Sequence, residues 1–342
     1  MRYTKPFISV VMPVLNEGRF VRATLTQLLS QDYPEDRFEI LVADGVSNDG
    51  TREEVQGLMR VYPQIRLLIN EKRLSSAGRN AGFREGRGDI FLVVDGHCHI
   101  GSDQFFNSIV ACFEKSGADC LGRPQPLDPP GIAPFQRAVA LARASKLGHG
   151  GDSMIYSTYE GYASPVSNGA VYKKEVFRAV GYVDESFDAC EDVEFNYRVE
   201  KAGLKAYMSP ALAVRYYPRE TLRGLFRQMV RYGQGRSRLV RKHSDALTLS
   251  MLAPPAFVAG LVLLAPAAAA RALFGGHWAS LPAGLLAALY GAYFVLVAAE
   301  SLRIALRNGL RHLAYLPFIL FAIHLGLGWG ILKGRRGETR KR

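Results

Sequence analysis

Cysteine is scarce and unpaired in this sequence: Cys98, Cys112, Cys120 and Cys190 fall in no CxxC spacing and no paired framework. A disulfide scaffold is thereby excluded, and a reducing compartment is expected. Cys98 and His99 adjoin but lack two further ligands nearby, so they do not make the pattern of a structural zinc site. There is no internal repeat, and no low-complexity tract beyond the alanines of Ala267–Ala270. A secretory leader is not expected either, because Met1–Pro6 runs straight into a strand-like segment with no apolar core and cleavage site before it. With 48% hydrophobic and 22% charged residues, extensive disorder is excluded as well.

Long apolar runs are present, but at one end only. Leu249–Ala270, Ala279–Ala299 and Leu313–Leu332 each hold enough residues, at about 1.5 Å apiece, to cross roughly 30 Å of hydrocarbon. The formal net charge of +12 would suit nucleic acid, but its placement points to a membrane surface instead. Between Arg219 and Lys242 stand eight Lys/Arg and one acid, directly ahead of the first apolar run, and the tail KGRRGETRKR is basic again. Basic flanks of this kind predict cytoplasmic anchoring against anionic lipid. Arg219, Arg223, Arg227 and Arg231 recur every four residues, while Leu222, Leu225, Phe226, Met229 and Val230 fill another sector. That spacing predicts a basic amphipathic helix lying in the headgroup plane. Three complete spans would put the basic tail on the wrong side. Either one run is re-entrant or interfacial, and Pro317 and the glycine-rich end of the third run mark that one, or the tail is an exception.

Ahead of Lys242 the pattern is that of an α/β domain. Apolar, β-branched runs at Phe7–Val14, Phe38–Ala43, Ile65–Ile69 and Ile90–Val94 read as strands. Helical spacing intervenes at Val21, Leu25, Leu28 and Leu29 and again from Thr51, which predicts a mainly parallel sheet covered on both faces. Ligands of such sheets bind at the carboxyl ends of the strands, where Asn16, Glu17, Asp44 and Asp95 fall. From Gly122 to Gly161 the sequence is Pro- and Gly-rich with poor periodicity, and reads as a long connection bordering a substrate site. A helix is expected from Asp192 to Ala202, closed by Gly203.

Three acidic segments carry possible chemistry: VADGVSNDGT, VVDGHCHI and CEDVEFNYRVEKAG. Each has an ordinary reading taken alone. Asp, Asn and Gly are turn residues, and Glu191 and Asp192 open a helix, where carboxylates suit the dipole. Asp95 with His97, at a strand's carboxyl end, is a pair that can hold one divalent cation together with diphosphate oxygens.

In succession these segments do more. FISVVMPVLNEGRFVRATLTQLLSQDYPEDRFEILVADGVSNDGT resembles the opening of family 2 glycosyltransferases, which have the GT-A nucleotide-sugar fold. SAGRNAGFREGRGDIFLVVDGHCHI resembles that family's Arg-Asn segment and D-x-D region, and GYVDESFDACEDVEFNYRVEKAG its acceptor-side segment. The likeness spans about Phe7 to Arg238. The DGH variant, RQMVRYGQGRSR and the apolar C-terminal runs are similar to bacterial exopolysaccharide glycosyltransferases of the succinoglycan type.

The resemblance implies roles for particular residues. Pro13, Asn16, Glu17 and Asp44 would line the nucleotide pocket, with Arg79, Asn80 and Gly169 near the sugar or diphosphate. Asp95 would be the principal contact of a Mn²⁺ or Mg²⁺ ion, with His97 in place of the usual second carboxylate. Imidazole serves Mn²⁺ better than Mg²⁺. Asp192, with Glu191 beside it, would be the catalytic base. Gln228, Arg231 and Tyr232 resemble the Q-x-x-R-W element of processive synthases, with Tyr for Trp, and would hold diphosphate or lipid acceptor.

The implied enzyme transfers one sugar, with inversion, from a UDP-sugar to a membrane-bound polyprenyl-diphosphate-linked saccharide, at the cytoplasmic face of the bacterial inner membrane. Its partners are donor, acceptor and membrane lipid, with self-assembly or a biosynthetic complex left open and no nucleic acid. A processive synthase and a non-catalytic nucleotide-sugar sensor are the alternatives. The expected organisation is a GT-A domain over 1–218, a basic helix and linker over 219–247, a membrane region of two or three spans over 248–333 and a basic tail over 334–342.

Overall fold

A computed structural model describes residues 5–149, 154–167, 169–274 and 277–334; most of the expected tail, 335–342, lies outside the described residues. The chain divides into two compact units, Met1–Pro130 with Ser153–Tyr217, and Gly131–Asp152 with Pro218–Arg342.

The first unit opens with an alternation of strands and helices: β1 (Ile8–Val14), α1 (Val21–Leu29), β2 (Phe38–Asp44), α2 (Thr51–Met59), β3 (Ile65–Ile69), α3 (Ser75–Glu85) and β4 (Ile90–Val93). After these come β5 (Cys98–His99), α4 (Phe105–Ser116) and β6 (Cys120–Gly122). The segment after Gly122 is not one irregular connection. It contains α5 (Pro134–Arg143) and the short α6 (Lys146–His149), both in the second unit. Pro134 sits in the first turn of α5, where no N–H is needed, and Gln136 Oε1 accepts from the Ala133 N–H at 3.0 Å. The first unit resumes with β7 (Gly161–Tyr162), β8 (Gly169–Lys173), α7 (Lys174–Val180), α8 (Glu191–Lys201), β9 (Ala206–Met208) and β10 (Arg215–Tyr216).

The main sheet has the order β3-β2-β1-β4-β8-β6-β9-β7. Strands β1 to β4 run parallel, with Val10 opposite Ile40 on one side and Leu92 on the other. Strand β8 is antiparallel to both β4 and β6, so the sheet is mainly parallel, as expected. All seven residues of β2 are buried, the signature of a strand covered on both faces. Alternate side chains divide between two cores. Ile8, Val10 and Met12 pack with Val21, Leu25 and Ile109 on the α1/α4 face. Val11 and Phe91 pack with Phe83, Phe177 and Phe195 under α3, α7 and α8.

The second unit adds α9 (Leu222–Lys242), α10 (Ala253–Phe274), α11 (His277–Asn308) and α12 (Leu316–Gly334) to α5 and α6. Among the described residues two helices are long and apolar enough to cross a membrane, Ala283–Asn308 and Leu316–Gly334, and the first run supplies a shorter apolar helix, Leu249–Leu264. The third run is thus a regular helix rather than the irregular one. Pro317 falls in its first turn, where it breaks no hydrogen bond, and its glycines are a packing seam. A Cβ at Gly326 would lie 2.7 Å from Met229 Cβ and one at Gly334 2.8 Å from Ser237 Cβ, while Gly330 and Gly233 meet backbone of the facing helix. Small residues at four-residue spacing let two backbones close on each other. The apolar stripe of α9 is therefore taken up by α12, with Leu225 and Met229 buried and Arg223, Arg227 and Arg231 exposed.

Candidate active site

Three loops at the carboxyl ends of β1, β2 and β4 are knitted together. The Asn16 N–H donates to Ser47 Oγ, Glu17 N–H to Thr51 Oγ1 and Gly18 N–H to Asp49 Oδ2, at 2.8–2.9 Å. Burial opposes ionisation of Asp49, but hydrogen bonds from Thr51 and Gly18 outweigh it and hold the carboxyl below the usual carboxylate range. Asn16 and Val46 both adopt left-handed backbone, φ +58° and +59°. Asn tolerates that region, whereas a β-branched residue is strained there.

Asp44 ends β2 with its side chain fully buried. Arg52 Nη2 donates to it at 3.1 Å, and the Ser47 N–H lies 3.2 and 3.3 Å from its two oxygens. Pro13 is opposite Ala43 in the register of β1 and β2, one residue before Asp44.

Beyond β4, Gly96 separates Asp95 from His97. A Cβ at Gly96 would meet Val14 at 2.9 Å and Glu17 at 3.0 Å, so only glycine lets this turn close against β1. The closure puts Glu17 Oε1 2.7 Å from His97 Nδ1. A carboxylate on one ring nitrogen fixes the ring's orientation and makes Nε2 the coordinating nitrogen of a metal-binding histidine.

Helix α3 brings Arg79 in from the opposite face. Gly82 lies so close to Val11 of β1 that no side chain fits between them. Arg79 Nη2 is 3.4 Å from Glu191 Oε1 at the start of α8, in a nearly buried pair. Burial works against the guanidinium charge, yet Glu191, Asp192 and Asp95 together hold it more firmly than usual. Burial raises the Glu191 carboxyl, Arg79 opposes the rise and neighbouring Asp192 adds to it.

A single polar pocket is lined by Arg79, Asp95, Arg123, Gln125, Gly169, Tyr172, Asp192 and Tyr216, with Val93 and Ala170. Of the residues singled out in the sequence, the structure gathers Arg79, Asp95, Gly169 and Asp192 here. Glu191 does not itself line the pocket but pairs with Arg79, which does. Asn80 does not line it: the amide Nδ2 donates to Val183 O and Glu185 Oε1, and Oδ1 accepts from the Val183 N–H, all within 2.9 Å. Asn16, Glu17 and Asp44 belong to the neighbouring loops instead. Gln228, Arg231 and Tyr232 are on α9 in the second unit, where Gln228 Nε2 donates to the Tyr232 hydroxyl at 3.2 Å. Arg123, Gln125, Tyr172 and Tyr216 are additional lining residues that no motif marks.

Among the described residues no three His, Cys, Asp or Glu side chains cluster to hold a metal on their own. Asp95 and an oriented His97 offer one carboxylate and one imidazole, donor types that suit Mn²⁺ better than Mg²⁺ when water and substrate phosphates complete the shell.

Comparison with known proteins bears on the family and the fold. The family model "Glycosyltransferase like family 2" matches residues 6–235. The succinoglycan biosynthesis protein ExoA of Rhizobium meliloti is 34% identical over 293 residues, 84% of this chain and 85% of its own. A dolichyl N-acetyl-α-D-glucosaminyl phosphate 3-β-D-2,3-diacetamido-2,3-dideoxy-β-D-glucuronosyltransferase of Methanococcus voltae is 24% identical over 96% of this chain and 97% of its own. In fold, the chain is similar to the mannosyltransferase PcManGT of Pyrobaculum calidifontis, solved with GDP-Man and Mn²⁺, at a TM-score of 0.62 and 19% identity over 96% of this chain and 88% of that one. A mainly parallel sheet with acidic and Arg-bearing loops at its carboxyl edge, and a family match across two thirds of the sequence, identify the chain as a glycosyltransferase belonging to glycosyltransferase-like family 2.

Proposed function

We propose that the first unit transfers a single sugar, with inversion, from a UDP-sugar to a polyprenyl-diphosphate-linked saccharide, and that the second unit anchors the enzyme in the membrane carrying that acceptor. The observation that carries this reading is the meeting of Arg79, Asp95 and Asp192, from three separate segments, on one pocket. Of the two adjacent carboxylates only Asp192 lines it, which suits that residue to take the proton of an acceptor hydroxyl as the oxygen attacks the anomeric carbon. Glu191, paired with Arg79, fixes the first turn of α8 against α3. Asp44 would accept a hydrogen bond from the nucleobase, and Asp95 with His97 would hold the divalent cation. When bound, that cation supplies neutralisation of charge on the departing diphosphate.

The relative named for a dolichyl phosphate-linked sugar supports a lipid-linked acceptor, and the one named for succinoglycan biosynthesis supports a part in polysaccharide synthesis. If Ala283–Asn308 and Leu316–Gly334 are the segments that cross, the chain returns to the side it left. The basic residues of α9 and the basic tail then share the cytoplasmic side with the first unit. Two spans are also few for the pore that a processive synthase needs.

The test is incubation of the full chain in detergent with labelled UDP-sugars, Mn²⁺ and a lipid extract. Extension of a lipid-linked product by one sugar is the expected result. Binding of UDP without consumption of any donor would overturn the enzyme reading, and long products would favour a synthase.

A further inference from the structure

Arg123 stands just beyond β6, between Gly122 and Pro124, and is among the largest side chains in the chain that are fully buried, only 1% exposed. Its Nη2 lies 2.9 Å from the Val93 carbonyl and 2.9 Å from the Tyr216 hydroxyl, so both acceptors are neutral. Among the described residues the Nε and Nη1 groups have no hydrogen-bond partner. A buried guanidinium with unmet donors is costly, and an orphaned group of this kind calls for a ligand or another explicit cause. Arg123 lines the same pocket as Arg79, whose Nε is likewise without a partner. Both side chains are donors only and carry fixed charge. The complement of such a pair is an anion with several acceptor atoms, and guanidinium groups suit phosphate oxygens in both charge and geometry.

We propose that Arg123 is an oxyanion-binding residue whose unpartnered N–H groups, together with Arg79, take phosphate oxygens of a substrate in this pocket. The bearer of the phosphate follows from the glycosyl-transfer reading, on which that part rests: the donor's diphosphate or the diphosphate of the lipid-linked acceptor. Asp95 and Asp192 line the same pocket, and Arg79 is the other cationic side chain among its lining residues. Arg123 therefore offsets the repulsion that two carboxylates would impose on an incoming phosphate.

The experiment uses the full chain in detergent, as wild type, Arg123→Met and Arg123→Lys. Thermal unfolding is measured without ligand, and calorimetric titrations follow with inorganic pyrophosphate, with UDP and Mn²⁺, and with polyprenyl phosphate in lipid nanodiscs. Without ligand, Arg123→Met should unfold close to the wild-type temperature, since the lost bonds to the Val93 carbonyl and the Tyr216 hydroxyl are offset by removal of a buried charge with unmet donors. Its affinity for pyrophosphate should fall about tenfold or more, as expected for lost hydrogen bonds to a charged group. Loss on UDP alone assigns the site to the donor, and loss on polyprenyl phosphate alone assigns it to the acceptor. If Arg123→Met does not fold, Arg123→Lys decides by the same titrations. Unchanged binding of all three probes by a folded variant would overturn the proposal and leave Arg123 a structural residue. A wild type that binds pyrophosphate through Arg123 but transfers no sugar would retain the anion site and remove the glycosyl-transfer reading.

Discussion

His97 Nδ1 and Glu17 Oε1 lie 2.7 Å apart, joining the turn after β4 to the loop after β1 across 80 residues of sequence. If His97 coordinates the cation, Glu17 sets the ring's tautomer and direction. Glu17→Gln should then raise the Mn²⁺ concentration for half-maximal activity by about 10–100-fold. Manganese titration followed by electron paramagnetic resonance reads the same loss without turnover. An unchanged titration would mean that the pair only braces the loops.

Asp192→Asn should abolish transfer while leaving the donor bound, because the amide cannot accept the acceptor's proton. The expected fall in kcat is about 10²–10⁴-fold, with UDP affinity by calorimetry close to that of wild type. A matching collapse of UDP affinity would show that Asp192 holds the donor instead.

Val46 should be more stable when replaced. Its φ of +59° suits no β-branched side chain, and the residue is 39% exposed, so little packing is lost on substitution. Val46→Asn is expected to stabilise the first unit by about 1 kcal/mol, measured by chemical unfolding. Destabilisation would mean that the valine side chain has a contact worth more than the strain.

Glu39 makes stability depend on pH. Burial raises its carboxyl, but the Arg87 N–H, Ser9 Oγ and Arg66 outweigh burial and bring it below its ordinary value of 4.5. A depressed folded value means that the contribution is present above the unfolded value and is lost as pH falls through the folded one. Glu39→Gln should therefore cost about 2 kcal/mol near neutral pH, with the gap to wild type closing in acid below 4.5. A gap that stays constant across that range would refute the ionic origin.

Gly330→Leu tests the seam of the second unit, since its Cβ would run into the Val230 backbone of α9. A loss of about 2–3 kcal/mol is expected from overpacking, seen as a lowered unfolding temperature in detergent. The first unit's affinity for UDP gives the control.

The parallel half of the sheet is legible in sequence because its strands are continuous apolar runs buried on both faces. Their observed ends differ from expectation by no more than one residue. Helix α5 is less legible: alanines and arginines give weak periodicity, and its start rests on Pro134 and a Gln136 cap inside a Pro-rich stretch. The glycines of α12 signal irregularity in one dimension and close packing in three. At the site, the motif residues Arg79, Asp95 and Asp192 converge, whereas Asn80 turns to the Val183 loop because its amide meets three partners there. Arg123 has no pattern around it, and burial with unmet donors is a property of the folded chain alone.

The interleaving of the two units bears on how the enzyme can be cut. Residues 131–152 are threaded out of the first unit and belong with the second, where Ala138, Val139 and Ala142 share a core with Leu316, Ile319 and Leu320 of α12. A stop codon after Tyr217 would strip that core of its other half and strand a greasy helix on the fragment. Freeing the first unit therefore takes two excisions rather than one: the C-terminal helices, and the segment that carries α5 and α6.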